Sequence, residues 1–91
     1  MRAVPRTRLF FVKAKLLEQL SKAKPIKPSE RKLVTELTVV VQNLRTIDII
    51  ELQKRLIICS NDLSLSKNIR EACKEMIEII NQNIDSLLSE V

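Results

Sequence analysis

Three carboxylates at helical spacing, Glu71, Glu75 and Glu78, and three hydroxyl or thiol side chains, Ser64, Ser66 and Cys59, are the residues whose types could do acid–base or covalent chemistry. Buried, convergent carboxylates hold hard cations or exchange protons. Here Arg70 and Lys74 interleave with the glutamates, which is the pattern of a solvated helix face. The chain has no histidine, so no ordinary base near neutral pH stands ready to activate a serine or a cysteine. It also has no glycine, which excludes a glycine-rich phosphate loop. Cys59 and Cys73 have no further Cys or His with which to complete a tetrahedral metal site. This inventory predicts a protein that is not an enzyme and that carries no metal or cofactor.

The two cysteines flank an expected helix–helix turn near residue 66 and can therefore face each other. Two buried, inert thiols in a reducing compartment are the expectation, and a disulfide is the alternative.

Charge is distributed unevenly. Residues 1–32 carry ten basic and two acidic side chains, whereas residues 33–91 carry six basic and nine acidic ones. A balance of +8 against −3 implies that the first third meets something anionic: nucleic acid, an acidic protein surface, or the acidic last helix of this same chain. Arg2, Arg6, Arg8, Lys13 and Lys15 combine an arm with a helix start, and Lys22, Lys24 and Lys27 form a second cluster. These eight residues are the expected phosphate contacts, neutralising charge without reading sequence. Base stacking would rest on Phe10 and Phe11, the only aromatics, so a single-strand platform is poorly supported.

Phe10-Phe11 also resembles the aromatic end of a sliding-clamp-binding peptide. That pattern requires Gln six residues before the first Phe and an aliphatic residue three before it. Val4 and Thr7 stand there, so the resemblance fails at both positions. Phe10 is expected in the core. Phe11, off the apolar stripe, is an expected partner contact together with Ile58 and Ile79, because adjacent isoleucines (49-50, 57-58, 79-80) widen the apolar arc beyond what a small bundle needs.

The elements that must position these residues follow from apolar periodicity. Residues 1–7 read as a flexible basic tail ending in Thr7 as an N-cap, and residues 8–91 as a single domain. A first helix near 8–23 has the stripe Leu9, Val12, Leu16, Leu20, Ala23, and Pro25 stops it. A linker with two prolines leads to a second helix near 28–44, with Leu33, Leu37, Val40 and Leu44 on its stripe and Pro28 at its first position.

The apolar phase slips near Thr46, which is placed to cap a third helix near 47–60 with the stripe Ile49, Leu52, Leu56, Cys59. The connection is either a very short loop or a bend in one continuous helix. Ser64 or Ser66 caps a last helix near 65–89, with the seam Ile69, Cys73, Met76, Ile80, Ile84 (or Asn83), Leu87, Val91. The fold expected is all-α, a small antiparallel four-helix bundle. The absence of Gly and the abundance of Ile, Lys and Glu give a thermophile-like composition.

No apolar run approaches the length of a membrane span, and Leu9-Phe10-Phe11-Val12 is too short for a signal peptide, so a cytoplasmic protein is expected. The acid-free stretch from Arg2 to Leu17 also fits a mitochondrial presequence, although it is poor in Ser and its helix runs on into the domain.

In size, charge and helix content the chain resembles the small helical subunits of archaeal nucleic-acid machines, such as polymerase accessory subunits or small subunits of RNA-guided effector complexes. The function expected is a non-catalytic accessory or scaffold subunit. It would bind a larger protein in a replication, repair or RNA-guided complex, with its basic third near DNA or RNA phosphates. The alternatives are a stand-alone, non-specific nucleic-acid binder and a purely structural bundle that self-assembles as a homo-oligomer.

Overall fold

The computed structural model describes residues 8–89. Arg2, Arg6, the proposed cap Thr7 and Val91 lie outside the described residues. Four α-helices follow in order: α1 (Arg8–Lys22), α2 (Pro28–Gln42), α3 (Ile49–Ser60) and α4 (Lys67–Leu88), with no strand among the described residues. The expected all-α bundle is what the chain forms.

The phase slip near Thr46 is a real break. Residues Thr46–Asp48 form a single 3-10 turn between α2 and α3, so the two are separate helices. Thr46 does not cap α3 as expected. The turn is instead closed by Asp48, whose carboxylate accepts the Arg45 backbone N–H at 3.2 Å and its Nε–H at 3.0 Å. The charged pair outcompetes a hydroxyl for this role.

The core is assembled from the four stripes. Val12, Leu16 and Leu20 of α1 meet Leu37 and Val41 of α2, Ile49, Leu52, Leu56 and Cys59 of α3, and Cys73, Met76, Ile80 and Leu87 of α4. α4 is the longest helix at 22 residues and packs extensively against both α3 and α1, while α2 lies against α1. The α2–α3 edge is more open and is bridged by an ion pair between Arg55 and Glu36 at 3.2 Å. The helices thus form a ring in chain order, with α1 diagonal to α3 and α2 diagonal to α4.

One end of the bundle is organised by a single acid. Glu30, in the first turn of α2, has no solvent exposure. Its carboxylate accepts backbone N–H bonds from Ile26 (3.0 Å), Lys27 (3.4 Å) and Ser66 (2.7 Å), and the Ser66 hydroxyl donates to it at 3.1 Å. These donors hold the carboxyl down at about 2, below its ordinary 4.5. Ser66 occupies the N-cap position of α4, yet its hydroxyl makes no capping bond because it is given to Glu30. The N-termini of α2 and α4 thus share one buried anion, whose charge suits the positive ends of both helix dipoles.

Candidate interaction surfaces

The eight basic residues expected at phosphates do not form one patch. Lys13 is half-buried, and its ammonium donates to the Leu44 carbonyl at 3.4 Å, tying α1 to the end of α2. Lys27 donates to the Ser64 carbonyl at 2.6 Å, tying the linker to the α3–α4 loop. Lys24 lines a shallow cleft of about 350 Å³ between α1 and α4, where Lys22 and Lys24 stand opposite Glu71 and Glu75. At this end the basic helix and the acidic helix of the same chain lie against each other.

Lys22 also continues a row of cations along α1. Arg8, Lys15 and Lys22 are seven residues apart and lie on one flank of α1, all exposed. Phe11 sits between the first two. The Arg8 guanidinium is 5.4 Å and the Lys15 ammonium 5.7 Å from its ring centre. Cations over an aromatic face are attracted by the ring quadrupole, which holds this otherwise wet ring in place. Glu18 interrupts the ridge and lies 3.8 Å from Lys22 across an exposed helix turn. The outer flank of α1 is therefore a row Arg8–Phe11–Lys15–Glu18–Lys22 at spacings of three and four.

Phe10 departs from expectation. It is 57% exposed and Phe11 44%. Phe10 faces a mostly apolar groove with Ala14, Leu17 and Gln42, at the last turn of α2. α2 ends at Gln42, level with this groove. Ile58, one of the expected partner contacts, is 70% exposed on α3, and Ile79 is half-buried against the core. Ile47, at 62%, was not singled out from sequence, since it precedes the third stripe and sits in the 3-10 turn.

Among the described residues, no three Asp, Glu, Cys or His side chains converge to hold a metal ion. Glu71, Glu75 and Lys74 are exposed on α4, as a solvated face requires. Cys59 on α3 and Cys73 on α4 are free and buried. Burial pushes both thiols up, Cys73 to about 12 with its sulfur neighbour adding to the effect, so neither is a thiolate near neutral pH. No helix is long and apolar enough to cross a membrane among the described residues. No family model, curated protein or solved structure matches the chain.

Proposed function

We propose that this protein is a non-catalytic helical accessory module that docks on a larger protein of a nucleic-acid-processing assembly, with the outer flank of α1 turned toward phosphates. The observation that carries the reading is the exposed row of Arg8 and Lys15 around the Phe11 ring, continued at heptad spacing by Lys22, which also pairs with Glu18. A 15-residue helix is about 22 Å long, enough to span several phosphates of a duplex backbone. The ridge offers no bidentate set aimed at base edges, which supports contact without sequence readout. Two free, adjacent thiols are consistent with a reducing compartment such as the cytoplasm.

The test has two arms. Tagged protein is recovered from native extract with and without nuclease, and its stoichiometric companions are identified. A partner that survives nuclease supports the accessory reading. Loss of every companion with nuclease supports the stand-alone binder instead. In the second arm, polyanion affinity is followed against salt for the wild type and for the charge reversal of Arg8, Lys15 and Lys22 to Glu. The slope of log K against log salt should fall by about one for each phosphate contact removed. An unchanged slope defeats the assignment of α1 to phosphates.

A further inference from the structure

We propose that this chain pairs with a second copy of itself through the outer face of α3, antiparallel and about a two-fold axis. The inference goes beyond whatever α1 binds. It rests on the row Ile47, Glu51, Lys54, Ile58, which runs along the solvent side of α3 and the turn before it at spacings of four, three and four. Ile47 and Ile58 are 62% and 70% exposed, among the most open large apolar side chains on the helices and their junctions. Glu51 and Lys54 are wet as well, and their ion pair within the helix is stretched to 4.0 Å.

The order of types is apolar, acid, base, apolar. Reversed, as a two-fold mate presents it, the order is apolar, base, acid, apolar. Ile47 then meets Ile58 of the second copy, Glu51 meets its Lys54, and each contact occurs twice by symmetry. That self-complementarity is what an isologous interface demands. Ile50 and Ile57, also exposed and placed beside the row, extend the apolar contact on one side.

Charge selects the same occupant. The outer face of α3 is balanced, one acid to one base along the row, so it has no preference for a strongly acidic or basic partner. The chain carries a net +5, and two copies repel unless their basic parts are kept apart. α1 is diagonal to α3, so pairing through α3 puts the two cationic ridges on opposite outer sides of the dimer. A single 12-residue helix on each side makes a small interface, at the low end near 1,200 Å² or less in total, and a reversible dimer.

Analytical ultracentrifugation from roughly 1 to 500 μM tests this, a range that brackets weak association. The wild type should pass from monomer to dimer. E51K and K54E should each weaken the dimer about tenfold, because like charges then meet at two symmetric positions. The double variant E51K/K54E restores the alternation and should recover to within about threefold of wild type. An equimolar mixture of E51K and K54E should form a heterodimer tighter than either variant alone. Circular dichroism verifies that each surface variant is folded. A wild type that stays monomeric throughout overturns the proposal, as do single variants that dimerise like wild type. A mixture or double variant that fails to recover also overturns it.

Discussion

The hydroxyl and the backbone N–H of Ser66 both donate to the carboxylate of Glu30, at 3.1 and 2.7 Å, across 36 residues of sequence. This contact ties the α1–α2 half of the bundle to the α3–α4 half at one end. Lys27 reinforces it by reaching the Ser64 carbonyl two residues earlier.

Acid should therefore loosen the bundle in a defined window. Glu30 titrates at about 2 when folded, against 4.5 ordinarily. A depressed carboxylate contributes stability in full above its unfolded value, and the contribution is lost as pH falls toward the folded one. The melting temperature should drop between about pH 4.5 and 2. Glu30→Gln should melt several degrees lower at pH 7 and lose the largest share of that acid slope, read by thermal circular dichroism. A variant with the wild-type slope assigns the acid sensitivity to other groups.

Stability should separate the core from the open isoleucines. Leu16→Ala and Leu56→Ala each remove a fully buried side chain and should cost about 3 kcal/mol in urea unfolding. Ile58→Ser in dilute solution should change stability by no more than about 0.5 kcal/mol. A large loss at Ile58 would mean that the monomer itself uses this side chain.

The cysteines should report opening of the fold. With both thiols buried and pushed up, an aromatic disulfide reagent at pH 8 should label Cys73 only as fast as the bundle opens. Labelling should become immediate in denaturant. Rapid labelling in buffer would show that the α3–α4 seam opens without global unfolding.

Two lysines with similar places in the sequence should behave differently. Lys27→Met removes a bond to the α3–α4 loop and should lower stability by about 0.5–1 kcal/mol. Lys15→Met leaves the backbone bonds intact and should act on the salt slope of polyanion binding, by about one unit. Equal effects on both readouts would remove the distinction between structural and ligand-facing cations.

The helices were legible because their stripes are regular. Ile49, Leu52, Leu56 and Cys59 were expected in the core and all four are buried. The phase slip at Thr46 revealed a junction but not its 3-10 geometry, which depends on the Arg45–Asp48 pair. The last helix starts at Lys67 with Ser66 at its N-cap position, the later of the two starts the sequence offers.

What pattern could not supply is where a neighbour stops. Phe10 lies beside the core stripe yet is 57% exposed, level with the end of α2 at Gln42. The Glu30–Ser66 contact was equally hidden. A glutamate in a first helical turn has a sufficient local reason to be there, and nothing local points to a partner far along the chain. Among the cations, sequence could count charge but could not separate Lys13 and Lys27, which hold carbonyls, from Arg8 and Lys15, which flank a ring.

The side-by-side packing of α1 and α4 bears on how the molecule is made. α1 precedes α4 in the chain, and the helix that covers Val12, Leu16 and Leu20 on one side is built from residues 67–88. Until α4 is in place the α1–α2 hairpin presents its apolar stripe to whatever is near, under a positively charged outer flank. The α1–α2 hairpin is therefore not a folding unit by itself: its stripe is completed only by residues far along the chain, which makes the α1–α4 seam a late-forming contact.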